Sequence, residues 1–352
     1  NLNTFIGNSA GAVVTSGANN TFVGSSAGAA LNTGSDSVAI GFGAADASTT
    51  MGRFVAIGYG AMGTGVGTTA NSYNIAIGYD SLKAITSGNN NIAIGVDANK
   101  GADGESNNLA IGSTALGSTS INGAEYNVAV GNNTLDAITS GDGNTAIGNE
   151  ALTDCTSGAG NTALGAVAGD NLTTGGQNLF LGQDTKVSTG AGSYQFVIGH
   201  NVTGAGNSTT TIGYDTTEIA TNHGSASWAA VSDERYKKDI TDSTAGLAFI
   251  DDLRPVTFKF KQKNELATDI YGYDANSIDT DGYTDEVAHG FIAQEIKAVL
   301  DNHPEIKAGQ EIWKQGADEK SNRQSVSHIG MIPMLVKAIQ ELSAKVKALE
   351  EA

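Results

Sequence analysis

Proline is absent from the first 231 residues of this 352-residue chain, and all three prolines lie beyond them. Cysteine occurs once, as Cys155, so no disulfide can form within the chain. Since no basic residue lies beside Cys155 to lower its pKa, we expect a small buried or loop residue and not a nucleophile. No apolar run reaches the 18 residues that a membrane span needs, and we expect no membrane insertion.

Basic residues are scarce, with 19 Lys and Arg against 37 Asp and Glu, which gives a net charge of −18. Nucleic-acid binding needs clustered Lys and Arg to displace counterions, and no basic stripe exists here. We therefore expect no nucleic-acid partner. The five histidines show no ligand spacing, so we predict neither a metal site nor a cofactor.

Glycine, in contrast, is abundant, and 40 of the 47 glycines precede residue 232. An apolar residue followed by glycine recurs along the first part of the chain, and nine of the twelve intervals are 17 residues. The repeat glycines are Gly7, Gly24, Gly41, Gly58, Gly78, Gly95, Gly112, Gly131, Gly148, Gly165, Gly182, Gly199 and Gly213. Each follows a short β-prone segment, and the fuller unit begins with Asn, as in residues 91–94.

A repeat of this length has room for a strand and turns but not for a long helix, and one copy alone could bury nothing. The pattern predicts a parallel β-solenoid over residues 1–213, in which Asn and Gly take the positive-φ corners. Thirteen rungs spaced by ~4.8 Å would make a rod of roughly 60 Å. Small residues three positions after the glycines indicate close backbone packing, and close approach of three chains is one interpretation. These residues are Ala10, Ala27, Ala44, Ala61, Ala98, Ala115, Ala151 and Ala168.

The Ala-Ile-Gly repeats resemble the head repeats of trimeric autotransporter adhesins and repeats of phage tail fibres. The resemblance covers about 60% of the chain, that is residues 1–213 of 352, and implies a parallel β-roll in a homotrimer. Residues 58–63 fit a Gly-x-Gly-x-x-Gly pattern, but inside a repeat we interpret them as a turn and not as a nucleotide site. The longer insertions at 62–73 and 118–125 are either receptor-binding loops or tolerated solvent loops.

After Gly213 the repeat is lost, and we predict a neck over residues 214–231. Trp228 either anchors the end of the rod or packs against the domain that follows. Residues 232–352 predict a smaller α+β domain, with a short helix from Leu247 and a strand over 256–260. A second helix is expected up to Leu300. A heptad seam predicts a C-terminal coiled-coil helix, with apolar residues at Ile332, Leu335, Ile339, Leu342, Val346 and Leu349.

Three segments of this domain together resemble the C-terminal intramolecular chaperone domain of phage tailspikes, tail fibres and endosialidases. They are Ser-Asp-Glu-Arg-Tyr-Lys-Lys-Asp-Ile at 232–240, Gly-Phe-Ile-Ala-Gln-Glu at 290–295 and Pro-Met-Leu-Val-Lys-Ala-Ile-Gln-Glu-Leu at 333–342. The resemblance implies a homotrimeric chaperone that assembles the preceding fibre and then releases itself through a Ser-Lys dyad. On this sequence the dyad is Ser232 and Lys237, and the implied scissile bond joins Val231 to Ser232.

The chemistry needs a lysine whose pKa is lowered from ~10.4 by burial or by neighbouring positive charge, which Arg235 and Lys238 could supply. Residues five apart point in opposite directions on a strand, so Ser232 and Lys237 require a turn or an arrangement between chains. Lys238 is the rival base on strand geometry. The acidic stretch 269–286 lacks the full calcium-loop pattern, and we interpret it as a solvated insertion.

The sequence as a whole predicts a fragment of a phage tail fibre or tailspike, because residue 1 falls inside a repeat. We expect a virion protein assembled in the host cytoplasm, which binds a host-surface glycan or protein and cuts only itself, once. The alternatives are a bacterial surface adhesin with the same processing domain and a glycan-degrading tailspike. For the latter, residues 1–231 offer no convincing carboxylate pair.

Overall fold

The structure is a computed structural model, and it divides into two compact units, residues 1–233 and 234–352. It describes residues 2–64, 73–119, 121–215, 217–225, 229–230, 234, 238–268, 273–278, 286–304, 306, 312–315 and 324–352. Much of the acidic stretch 269–286 and Trp228 lie outside these ranges. We call residues 1–233 the shaft and residues 234–352 the C-terminal unit, and describe each by itself.

The shaft is a β-solenoid of about 12 turns, as the 17-residue period predicts. Its strands form one sheet of 15 described strands, in which β1 to β13 run parallel and in register. The strands are β1 Thr4–Ile6, β2 Thr21–Val23, β3 Val38–Ile40, β4 Val55–Ile57, β5 Ile75–Ile77, β6 Ile92–Ile94, β7 Leu109–Ile111, β8 Val128–Val130, β9 Thr145–Ile147, β10 Thr162–Leu164, β11 Leu179–Leu181, β12 Gln195–His200, β13 Thr209–Tyr214, β14 Thr217–Asn222 and β15 Ala229–Ala230. We number the rungs after β1 to β13.

The direction of the chain reverses after the last rung. Strand β14 pairs antiparallel with β13, and β15 pairs antiparallel with β14. Residues 214–231, predicted as a neck, therefore contain two strands that extend the sheet of the shaft.

Each repeat glycine marks a point where the backbones of two successive rungs are in close contact. The twelve glycines from Gly7 to Gly199 have φ between +122° and +143°, a region that other residues rarely adopt. A Cβ on any of them would meet the carbonyl group of the glycine in the next rung well inside 3.0 Å, where real Cβ atoms essentially never lie. Only glycine permits both the conformation and the spacing, which explains why it recurs at this position.

Buried asparagines form a ladder along the interior. In each member the side-chain Oδ1 accepts the backbone N–H of the corresponding residue one rung on, as between Asn127 and Asn144 at 2.9 Å. The side-chain amide donates to a carbonyl in the turn of its own rung, as from Asn144 to Gly158 O at 2.8 Å. The members are Asn3, Asn20, Asn74, Asn91, Asn108, Asn127, Asn144, Asn161 and Asn178, with Ser37 and Phe54 at the equivalent positions between.

The expectation that the repeat Asn occupies a positive-φ corner is thus corrected. The left-handed residue is the one before it, as at Asn19, Asn90 and Asn107 with φ of 61°, 59° and 64°. The repeat Asn is conserved in the period for its hydrogen bonds, since a buried amide must be paired.

The interior is otherwise filled by apolar side chains of a single chain, from alanine to the buried Phe22, Phe54 and Phe180. The middle residue of each of β2 to β11 is buried, and so are the alanines three positions after the glycines except the partly buried Ala10. Those alanines therefore pack inside one coil, and the interpretation that they mark contact between three chains is wrong. Of the predicted insertions, residues 118–125 include the buried Ile121 and Ala124, while residues 65–72 lie outside the described part.

The C-terminal unit contains three α-helices and two small antiparallel sheets among its described residues. The helices are α1 Leu247–Asp251, α2 Ala293–Asn302 and α3 Ile332–Glu350. The strands β16 Val256–Phe258 and β17 Ala288–Gly290 form one sheet, and β18 Trp313–Gln315 and β19 Gln324–Val326 form the other. A core of Ala245, Phe249, Ile296, Ile306, Ile312 and Met331 holds the unit together.

The sequence placed these helices and the strand over 256–260 correctly, although β16 ends at Phe258. Helix α2 stops two residues before Pro304, which cannot continue a helix. The Pro at the second position of α3 is compatible with a helix start because the N–H that it lacks has no partner there.

The glycine contact gives a testable stability difference between two positive-φ glycines. Gly95 has φ +141° and faces the backbone of Gly112, whereas Gly143 has φ +64° and no atom within 4 Å of an added Cβ. We expect Gly143→Ala to cost about 1–2 kcal/mol through backbone strain alone. Gly95→Ala should cost distinctly more because rungs 6 and 7 must separate. Thermal denaturation of both variants checks this, and equal shifts in Tm would contradict the close-contact account.

Candidate functional site

The predicted cleavage site lies at the boundary between the two units. Val231, Ser232, Arg235 and Lys237 are outside the residues that the structure describes, so the dyad remains a prediction. The described residues nearest to the site are Ala230 before it, the exposed Glu234 within the motif, and Lys238 after Lys237.

The shaft side of the predicted scissile bond is tied to the sheet. Ala230, the residue before Val231, is opposite Ile219 in the antiparallel pairing of β15 with β14. The backbone is thus held in extended form up to Ala230, one residue before Val231. On the other side, Lys238 is exposed to solvent, so burial does not favour it as the base.

Glu341, in the third motif of the chaperone resemblance, positions helix α1. Its carboxylate accepts the backbone N–H of Leu247 at 2.9 Å, a contact that spans 94 residues of sequence. A Cβ on the preceding Gly246 would collide with the same carboxylate. A negative group at a helix N-terminus accepts a hydrogen bond from a backbone N–H that has no partner within the helix. It also interacts favourably with the positive end of the helix dipole. This glutamate therefore joins α3 to α1.

Glu295, in the second motif, forms a two-point ion pair with Arg254. The Arg254 Nε donates to Glu295 Oε2 at 3.0 Å, and its Nη2 donates to Oε1. The hydrogen bond from Arg254 holds the pKa of the Glu295 carboxyl below its usual value. Both groups are solvent-exposed, so the pair orients α2 against the segment before β16 more than it stabilises the unit.

His303 and Asp252 add a third link that the sequence did not reveal. His303 Nε2 lies 2.9 Å from Asp252 Oδ2, and the ring packs edge-on against Phe249. The contact ties the end of α2 to the end of α1. No local pattern could have indicated it, because the partners lie 51 residues apart.

A cavity of about 520 Å³ opens beside the β16–β17 sheet. It is lined by Pro255, Val256, Thr257, His289, Gly290, Phe291 and His328. His289 and His328, which show no pattern in the sequence, thus share one cavity. Among the described residues, its lining contains neither a carboxylate nor a lysine.

The other motif that the sequence offered as a possible binding site has a structural role. Residues 58–63 form a turn of rung 4, with Met62 buried. Among the described residues, no three His, Cys, Asp or Glu side chains come together as possible metal ligands. No helix in the described part of the chain has the length and hydropathy to span a bilayer.

Comparison with protein families matches residues 232–303 to a peptidase family described as chaperone of endosialidase. The match begins at Ser232, the residue that the resemblance names as the nucleophile. This family implies a self-cleaving, intramolecular chaperone domain, and its place after a long β-solenoid is consistent with a protein of the tail-fibre or tailspike type. No curated protein and no solved structure matches the chain.

Removing the Glu341 carboxylate should destabilise the C-terminal unit. Glu341→Ala leaves the Leu247 N–H without its acceptor, and a hydrogen bond to a charged group contributes about 1.5–3 kcal/mol. Glu350→Ala, at an exposed site near the end of α3, is the matched control and should change little. The urea midpoint of the C-terminal unit, monitored by a spectroscopic signal of that unit, is measured for both variants. An unchanged midpoint for Glu341→Ala would refute the capping role.

Cys155 should be inert in the folded shaft. It occupies the same interior row as Leu31, Ile85, Ile138 and Leu172, and burial raises the pKa of its thiol to about 11. Thiolate is therefore scarce at pH 8, and the sulfur is inaccessible. We expect negligible labelling by a thiol reagent at pH 8 and complete labelling in denaturant. Rapid labelling of the native chain would show that this row opens.

Proposed function

We propose that this chain is part of a phage tail fibre or tailspike that attaches the virion to the host surface. In this proposal the shaft is a homotrimer, and the C-terminal unit directs its assembly before cutting itself away. The observation that carries the proposal is the family match that begins at Ser232, immediately after a β-solenoid whose last described strand ends at Ala230.

The exposed face of α3 supports association of several chains. Six apolar side chains at heptad spacing are exposed, which a lone soluble helix rarely tolerates. They are Ile332, Leu335, Ile339, Leu342, Val346 and Leu349. Three copies of α3 would cover these side chains, in agreement with the homotrimer that the family resemblance implies.

The outer face of the shaft sheet supports the same conclusion. The third residue of each of β1 to β11 is apolar and points away from the core, so the parallel register aligns these side chains in one row. Its exposed members include Ile6, Ile40, Ile111, Ile147, Leu164 and Leu181. A continuous apolar row of this length favours a partner surface.

The regular row also explains why such a shaft needs an assembly domain. Successive rungs present nearly the same side chains, so three chains could pair one rung out of register at little loss of contact. Slow assembly of parallel β-structure would leave these incorrect pairs exposed to aggregation. A trimeric C-terminal unit sets the register by bringing the three chain ends together first.

Self-cleavage at Val231–Ser232 then follows as a single event. The Ser232 Oγ attacks the Val231 carbonyl carbon, the C–N bond breaks, and the acyl group is transferred to Oγ as an ester. Lys237 accepts the hydroxyl proton and returns it to the departing Ser232 amine. Water hydrolyses the ester, which leaves a carboxylate on Val231. Without the C-terminal unit, unfolded shaft chains cannot readily reassemble, so unfolding is irreversible and the lifetime of the shaft is set by its rate of unfolding.

Intact-mass spectrometry of the freshly expressed chain tests this assignment. We expect the wild type to yield fragments of 231 and 121 residues, and Ser232→Ala and Lys237→Ala to remain whole. Lys238→Ala is the matched control and should still cleave, at most more slowly, because Arg235 remains to lower the pKa of Lys237. Cleavage of Lys237→Ala with an intact Lys238→Ala would move the base to Lys238. A wild type that trimerises without cleavage would make the C-terminal unit a permanent cap.

A further inference from the structure

Three aromatic rings form an exposed stack on the outside of rungs 3 to 5. Phe42, Tyr59 and Tyr79 each occupy the position directly after the repeat glycine, and adjacent rings lie 5.2 Å apart and within 12° of parallel. Each side chain is 49–55% exposed. Rungs 1 and 2 carry Asn8 and Ser25 here, so the ring of Phe42 is the end of the stack.

The next position opens a recess beside this stack. In rungs 3 and 4 it is Gly43 and Gly60, with φ of +61° and +63°. Neighbouring rungs carry side chains in the same backbone conformation at this position, such as Ser26 and Asp97. A Cβ at Gly43 would lie 3.3 Å from Asp46 Oδ2, and one at Gly60 would collide with Asp80. The missing side chains leave a recess of about 170 Å³.

The recess is lined by both hydrogen-bond donors and hydrogen-bond acceptors. Lys83 Nζ lies 2.7 Å from Asp80 Oδ2, and the Asp80 side chain is only 4% exposed, so it holds the ammonium group in place. Asp46 also lines the recess, and its Oδ1 has no hydrogen-bond partner among the described residues. Thr64 lies at the same edge, where its hydroxyl donates to Lys83 O at 2.9 Å.

We propose that this recess, which we call the rung 3–5 recess, binds one sugar unit of a neutral saccharide. The proposal deepens the attachment function proposed above and rests on it. The stacked rings supply an apolar wall for the C–H groups of the sugar. The Asp46 carboxylate accepts hydrogen bonds from sugar hydroxyls, and Lys83 donates to a ring or hydroxyl oxygen.

Charge and size favour this ligand over others. Two carboxylates against one ammonium leave the recess negative, which disfavours sialic acids, uronic acids and phosphates. The volume suits a single hexose, and small-molecule sites combine an apolar wall with a few fixed polar groups in this way. The rings cover one another's faces, so the sugar meets the ring edges and the outward face of Phe42.

The test uses substitutions to residues that other rungs already carry at the equivalent position. Gly43→Asn fills the recess with a residue that occupies the same position with similar φ in other rungs, at Asn133 and Asn201. Ser26→Asn makes the same change one rung earlier, outside the recess, and is the matched control. Tyr59→Ser removes the central ring of the stack and introduces the residue that rung 2 carries at the equivalent position, Ser25. An immobilised array of neutral hexoses, N-acetylhexosamines, their oligomers and sialylated glycans is the probe.

We expect the wild-type trimer to bind neutral saccharides, and Gly43→Asn and Tyr59→Ser to bind about tenfold more weakly or worse. Ser26→Asn should match the wild type. Saccharide binding unaffected by both recess variants would overturn the site but leave attachment standing. Binding of sialylated glycans only, or of Ca²⁺ alone by calorimetry, would overturn the ligand class. No saccharide binding by a chain that trimerises and cleaves normally would overturn the recess proposal without touching the processing function.

Discussion

Contact of backbone against backbone at the repeat glycine sets the geometry of the shaft. At each of these positions the carbonyl group of one rung occupies the place where the previous rung would carry a Cβ. The contact fixes the spacing and orientation of successive rungs, so β1 to β13 stay in register over the whole stack. The asparagine ladder depends on that register, because each Oδ1 reaches the N–H of the next rung only if the rungs are aligned.

From rung to rung the side chains that fill the interior change in type, but together they occupy a similar volume. Where the middle strand residue is the large Phe22 or Phe180, a glycine lies against the ring, at Gly28 or Gly169. Where it is alanine, a larger side chain fills the space, as with Ala129 and Leu135. Close packing demands such exchange, since a void or an overlap would shift the rung. The rod can therefore vary in sequence while its outer rows stay straight, and straight rows are what make register between chains ambiguous.

The solenoid could be predicted from the sequence because the contact at the repeat glycine tolerates no other residue. Glycine therefore recurs there at a regular interval that the sequence shows directly. The role of the repeat Asn was missed, since Asn favours both left-handed turns and side-chain hydrogen bonds, and only the neighbouring rung decides between them. The chaperone motifs were recognised by their order, but Glu341 and Glu295 act on Leu247 and Arg254, which lie 94 and 41 residues away. The rung 3–5 recess depends likewise on Asp80 of one rung meeting Gly60 of another.

The reversal of chain direction at β14 gives the stack a defined end. A parallel solenoid presents the same open edge after every rung, and such an edge can template a further strand from another molecule, as in amyloid growth. Here β14 occupies the edge of β13 in the opposite direction, with all six residue pairs from Thr209↔Asn222 to Tyr214↔Thr217 made. The edge of the last parallel rung is therefore covered, and a further shaft cannot dock on β13 as the next parallel rung.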